Sequence, residues 1–222
     1  MEVFNKNIPI AYCINLDRCP EKFETVCNNF NDILEIIRFP AIDGKLNGMS
    51  GSNALAETTK KLFNIVVNEE NIPYIIVIED DIYKYGNFDL FWPKILEFIN
   101  NNIDWDFISL DFFLSLDKPK MEIYNDFLYK VEKSRAAGFM IYNINFLKKN
   151  IEYLRTCRVF DMAMKHNTSF IQLIPNELIV KQIVDKNSDT ACNNTKRYET
   201  YYKKTEEYLK TYSFNNNNNT IL

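Results

Sequence analysis

Tyr74-Ile75-Ile76-Val77-Ile78-Glu79-Asp80-Asp81 is the stretch on which the fold turns. A strand with one wet face alternates apolar and polar residues. An unbroken run of Tyr, Ile and Val is the pattern of a strand covered on both faces, as in the interior of a parallel sheet. The run passes directly into three carboxylates. In open α/β sheets, ligands bind beyond the carboxyl ends of the strands. Three adjacent carboxylates repel one another unless a cation lies among them, and hard oxygen donors suit Mg²⁺ or Mn²⁺. Alternate residues of an extended chain point the same way, so Glu79 and Asp81 can converge on one ion while Asp80 turns toward the protein. The competing reading is an acidic helix cap in solvent.

Outward from this strand, the pattern predicts alternating strands and helices. Ile8 to Leu16 reads as a buried first strand. Pro20 suits the first position of a helix whose apolar face carries Phe23, Val26, Cys27 and Phe30. Ile33 to Phe39 predicts a second strand ended by Pro40. Pro40 to Gly44 reads as a turn, with a flexible loop through Gly48, Ser50, Gly51 and Ser52. Leu55, Leu62, Phe63 and Val66 mark the next helix, and Phe88 to Ile103 a strongly apolar one. Trp105–Leu110, Leu128–Val131, Gly138–Tyr142 and Phe170–Ile174 read as strands, and Phe146, Leu147, Ile151 and Leu154 as one helix face. The alternation argues for an α/β fold with a mostly parallel Rossmann-type sheet flanked by helices. A single domain is expected over residues 1–195, a C-terminal helix over 196–213 and an Asn-rich disordered tail over 214–222.

The chain has 222 residues, 46% hydrophobic and 25% charged, which suits one soluble domain with a full core. Its net charge of −4 argues against a nucleic-acid binder that works by neutralising phosphates. No apolar run reaches the length of a membrane helix, so no transmembrane segment is expected. The first twenty residues lack a basic start followed by a long apolar stretch, so no signal peptide is expected either. The five cysteines form no CxxC pair, which speaks against a disulfide framework or a cysteine zinc site. A cytoplasmic, reducing location is therefore expected. His166 is the single histidine and is expected to be structural or exposed.

Five segments, taken in order, resemble glycosyltransferase family 25, which includes lipopolysaccharide and procollagen galactosyltransferases. They are Tyr12-Cys-Ile-Asn15-Leu16-Asp17-Arg18-Cys-Pro20-Glu, Arg38-Phe-Pro40-Ala41-Ile-Asp43-Gly44, Ile76-Val-Ile-Glu79-Asp80-Asp81, Trp105-Asp106-Phe-Ile-Ser-Leu, and Ala137-Gly138-Phe-Met-Ile-Tyr followed by Val159-Phe-Asp161. Each is weak alone; together they span about residues 8 to 185. Two departures stand out. Gly51-Ser-Asn-Ala-Leu-Ala-Glu57 has no His where the family usually carries a Ser-His pair, and Lys22 followed by Phe23 replaces the basic residue closing the first motif.

The resemblance implies a GT-A-like fold and a UDP-sugar donor, with Mn²⁺ (or Mg²⁺) held by Glu79 and Asp81. A cation between carboxylates and diphosphate lets an acidic protein grip an anionic donor and stabilises the departing UDP. Asn15, Asp17 and Arg18, with Ala41, Asp43 and Gly44 in the following turn, are the expected donor-binding residues. The competing reading of Asp17 and Arg18 is a local salt bridge capping the helix at Pro20. Asp161 and Asp81 are the candidate catalytic residues, Asp161 as the base that takes the acceptor hydroxyl proton or as a residue holding the acceptor. Asp106 and Asp111 flank the strand Phe107–Leu110 and are candidates for the acceptor cleft, with Asp106 weighing toward a structural role.

The expected activity is an inverting hexosyl transfer, galactose before glucose, to a glycan or to hydroxylysine of a collagen-like protein. A homodimer is an expectation from length alone. The absent Ser-His pair motivates a second reading, a nucleotide-sugar or partner-binding module that has lost turnover. A metal-dependent phosphoesterase is the third, and it leaves the Asn15–Arg18 and Pro40–Gly44 segments unexplained.

Overall fold

The computed structural model describes residues 8–114, 119–132, 134–135, 137–158, 167, 169–183 and 195–219. In chain order the elements are β1 (Ile10–Asn15), α1 (Pro20–Phe30), β2 (Glu35–Pro40), α2 (Gly51–Val66), β3 (Tyr74–Glu79), β4 (Ile82–Lys84), α3 (Phe88–Asn101), β5 (Phe107–Ser109), β6 (Phe113–Leu114), β7 (Met121–Ile123), β8 (Leu128–Val131), β9 (Ser134–Arg135), β10 (Phe139–Asn143), α4 (Ile144–Thr156), β11 (Gln172–Pro175), β12 (Val180–Gln182) and α5 (Thr195–Asn219). Asp161 and His166 lie outside the described residues.

Eight strands form one sheet in the order β2-β1-β3-β10-β5-β11-β8-β7. The Tyr74–Ile78 run occupies an interior position, as its composition requires. Its alternate residues enter two separate cores. Ile76 and Ile78 pack with Val26 and Phe30 of α1 and Trp92 and Ile95 of α3. Ile75 and Val77 pack with Leu62 and Phe63 of α2 and Phe146 and Leu147 of α4. Burying each such side chain contributes roughly 1.5–3 kcal/mol, so placing β3 at an edge would forfeit several kcal/mol. The result is a three-layered α/β/α arrangement.

The sheet is mixed rather than mostly parallel. β1 pairs in parallel with both β2 and β3, and β5 with β11. β10, by contrast, runs antiparallel between β3 and β5, and β8 antiparallel beside β11. A strand buried on both faces carries the same apolar run whichever way it points, so composition alone does not encode direction. Three further differences are local. α2 begins at Gly51 inside the expected loop, capped by Ser50 Oγ, which accepts from Asn53 N at 3.2 Å. Five of the two- and three-residue strands, β4, β6, β7, β9 and β12, are too short to produce a periodic signal. The last helix continues through the Asn run to Asn219 instead of ending near 213, there being no Pro or Gly between Thr195 and Asn219 to stop it. α5 packs its tyrosines on β6, β7 and β8 as a third core, with Phe113 against Tyr198, Tyr201 and Tyr202.

Candidate functional site

Parallel pairing of β1 with β2 and β3 brings their carboxyl ends to one edge of the sheet, with the loop before α2 folded over them. There a cavity of about 260 Å³ opens. Its apolar wall includes Ile14, Leu16, Ala41, Ile42 and Leu55. Arg18, Lys22 and Lys45 supply cations, and Glu79, Asp80 and Asp81 supply acids. Gly44 allows the close turn at its rim: a Cβ there would stand 2.8 Å from Met49 O and 3.3 Å from the Ala54 Cβ. The Ile42 N–H donates to Thr58 Oγ1 at 2.9 Å and so fixes that loop on α2.

The three acids have different surroundings. Asp80 accepts the Asn15 amide on Oδ2 at 2.7 Å. Burial raises its pKa while that bond opposes the rise. Glu79 Oε2 accepts from Gln182 Nε2 at 3.4 Å, and its N–H donates to Gly138 O at 2.8 Å. Asp81 Oδ1 is buried and makes no hydrogen bond among the described residues. Burial, then the Asp80 and Asp111 carboxylates, push Asp81 up to about 7 against the pull of Lys22. β3 ends at Glu79, so Asp80 and Asp81 lie in a turn and the expected alternation does not hold: Asp80 lines the cavity beside the other two acids while bound to Asn15, and Asp81 keeps one oxygen, Oδ1, without a partner among the described residues.

The expected donor-binding residues divide into two groups. Arg18, Ala41 and Gly44 line the cavity; Asn15, Asp17 and Asp43 do not. Asn15 is 1% exposed and knots the strand ends together: its amide also donates to Cys19 O at 2.8 Å, and its Oδ1 accepts Arg38 Nε at 2.8 Å. Asp17 pairs with Arg38 at 2.5 Å on the surface. Asp43 accepts Arg18 Nε at 2.7 Å, which holds its carboxyl below the usual range and fixes the guanidinium at the cavity. Sequence reasoning missed Arg38 as an organiser and Lys45 as a lining cation; the only signal for Lys45 was its place next to the Gly44 turn. Asp106 is structural, accepting Ile171 N at 2.6 Å.

Asp111 differs from Asp106. It is fully buried behind the acidic motif, accepts the Tyr202 hydroxyl on Oδ1 at 2.6 Å, and leaves Oδ2 without a hydrogen bond among the described residues. Burial lifts it to about 7; the Tyr202 hydroxyl and the backbone N–H of Gly138 oppose this.

Among the described residues, no group of three or more His, Cys, Asp or Glu side chains is arranged to hold a metal ion. Mg²⁺-type sites commonly use one or two protein carboxylates and complete their shell with water and phosphate oxygens. The orphaned Asp81 oxygen suits a site of that kind. Among the described residues, no helix is long and apolar enough to cross a membrane.

Two solved structures resemble the chain over most of its length. A197 from STIV aligns with a TM-score of 0.42 at 11% identity, covering 80% of this chain and 87% of that one. HddC from Yersinia pseudotuberculosis, crystallised in complex with GMP-PN, aligns with a TM-score of 0.31 at 14% identity, covering 84% of this chain and 74% of that one. No known family profile and no curated protein matches the sequence.

Proposed function

We propose that the chain is a GT-A-like, metal-dependent inverting glycosyltransferase. It moves a hexose, galactose before glucose, from a UDP-sugar to a hydroxyl of a glycan or of hydroxylysine in a collagen-like protein. The observation that carries this reading is the cavity at the ends of β1 and β3, with an apolar wall, cations at Arg18, Lys22 and Lys45, and carboxylates at Glu79, Asp80 and Asp81. A nucleoside diphosphate matches that division: base and ribose against Ile14, Ala41 and Leu55, diphosphate oxygens toward Arg18, which hydrogen-bonds phosphate well.

A divalent cation, Mn²⁺ or Mg²⁺, would be held by Asp81 with Glu79 and would neutralise the diphosphate as it leaves. The chain's own residues supply the rest. Asp43 holds Arg18 in place. Asn15 holds Asp80 in place through its side-chain amide. In the transfer, the acceptor oxygen bonds to the anomeric carbon as the bond from that carbon to the diphosphate oxygen breaks. The acceptor proton passes to a carboxylate, a role the family resemblance gives to Asp161.

The experiment is UDP release from UDP-galactose and UDP-glucose with Mn²⁺ and a glycan acceptor, comparing wild type with Asp81→Ala. Loss of release in the variant supports the reading, and equal turnover overturns the metal role. Tight UDP binding by wild type without transfer of any sugar would favour the binding module, a reading motivated by the missing Ser-His pair.

A further inference from the structure

We infer that Asp111 joins Asp81 as a carboxylate ligand of the divalent cation, so that the ion bridges the ends of β3 and β5 instead of resting on the acidic motif alone. The inference builds on the proposed metal-dependent reading and changes its ligand set.

The backbone supports the juxtaposition. β10 lies between β3 and β5, and its first residues tie both strand ends together: Glu79 N donates to Gly138 O at 2.8 Å, and Leu110 N donates to Phe139 O at 2.9 Å. Asp81 and Asp111 each follow one of these anchored ends. Each leaves a buried oxygen, Asp81 Oδ1 and Asp111 Oδ2, with no hydrogen-bond partner among the described residues. The space beside Asp111 Oδ2 exists because residue 138 is glycine. A Cβ there would stand 2.5 Å from that oxygen, 2.8 Å from Ile82 Cγ2 and 3.1 Å from Gln182 Nε2.

Asp111 is also held in one orientation. Tyr202 donates its hydroxyl to Oδ1 at 2.6 Å and accepts Gln182 N at 2.7 Å. This fixes the carboxylate with Oδ2 free for a second partner. Supporting hydrogen bonds of that kind orient metal ligands. Two orphaned carboxylate oxygens in one buried region call for a shared positive charge, either a proton or a cation. A cation satisfies both oxygens and matches the hard-oxygen chemistry expected of Mg²⁺ or Mn²⁺.

The test is Mn²⁺ uptake by the full chain after chelation and desalting, followed through the electron paramagnetic resonance signal of free Mn²⁺, with and without UDP. Asp111→Asn keeps an oxygen for the Tyr202 hydroxyl and removes the ligand charge. The expected result is Mn²⁺ affinity weakened at least about tenfold, alongside a comparable loss in Asp81→Asn. Loss in Asp81→Asn with wild-type affinity in Asp111→Asn would show that Asp111 is not a ligand, and would sink this inference while leaving the proposed function intact. No uptake by wild type under either condition would sink both. If Asp111→Asn does not fold by circular dichroism, Tyr202→Phe decides. It frees the Asp111 rotamer and should weaken Mn²⁺ binding several-fold, and unchanged affinity would overturn the inference.

Discussion

Asn15 donates its side-chain amide to Asp80 Oδ2 at 2.7 Å, joining the ends of β1 and β3 across 65 residues of sequence. The same side chain accepts Arg38 Nε, and the Asn15 carbonyl accepts Ala41 N at 2.9 Å. One residue therefore locks three strand ends and singles out Asp80 as the structural member of the acidic motif.

Replacing Asn15 should therefore act on stability. Asn15→Ala strands a largely buried carboxylate and a guanidinium nitrogen, which costs roughly 1–3 kcal/mol. Urea unfolding followed by circular dichroism should show a lower midpoint with an unchanged slope. An unaltered midpoint would mean that the knot contributes nothing.

Arg18 should behave in the opposite way. Its ion pair with Asp43 is largely exposed on the arginine side, at 40%. Water screens such pairs, so they contribute little to stability. Arg18→Ala should leave the unfolding midpoint nearly unchanged and weaken UDP binding about tenfold by calorimetry, the loss of one charge-assisted contact. Asp43→Asn, which loosens the guanidinium without removing it, should give a smaller loss.

Gly138→Ala tests the crowding behind the acidic motif. The added Cβ would meet Asp111 Oδ2 at 2.5 Å and Ile82 Cγ2 at 2.8 Å. Overpacking of this kind costs about 1–3 kcal/mol. The expected outcome is a lower melting temperature. Gly48→Ala meets no neighbouring atom and is strained only by its φ of +63°, so it should cost roughly 1–2 kcal/mol from backbone strain alone.

The docking of α5 should depend on pH. Lys181 Nζ lies 2.8 Å from Glu206 Oε1 and 3.4 Å from the centre of the Tyr85 ring. Burial raises the Glu206 pKa, but hydrogen bonds from Lys181 and Tyr85 outweigh it and leave the carboxyl below its usual range. A depressed carboxyl stabilises the fold above its unfolded pKa of about 4.3, and that contribution is lost as pH falls through the folded value. Lys181 has a raised pKa: burial lowers it, and Glu206 with Tyr85 more than reverse that. Its contribution is complete below about pH 10.4 and is lost as pH rises through the folded value. Amide exchange in α5 should accelerate below about pH 4, and Glu206→Gln should flatten that dependence. An acid limb of equal size in the variant would refute the assignment.

Much of this architecture was legible in the chain. Pro20 with Phe23, Val26 and Phe30 marks α1 because proline at a first helical position and a 3.6-residue apolar period have few other uses. The alternate orientation expected of Glu79, Asp80 and Asp81 was not realised, because the strand ends at Glu79 and the two-residue repeat holds only in extended chain. The antiparallel insertion of β10 was not legible. Nor were the roles of Arg38, Gln182 and Tyr202, because each meets the site through a hydrogen bond or strand pairing to a residue far away in sequence. The short β4 and β12 carry no period and gain their pairing only from each other.

The Tyr74–Asp81 run by itself determined that a central strand ends in acids at the rim of an α/β sheet, because five consecutive apolar residues escape water only when covered on both faces. Folding alone decided which acid is tied down and which carboxylate oxygens are left without a partner among the described residues. Asn15 reaches Asp80 from another strand, and Tyr202 reaches Asp111 from a helix 91 residues away. Hydrogen bonds of that reach depend on how the layers pack, and no local pattern of residues encodes them.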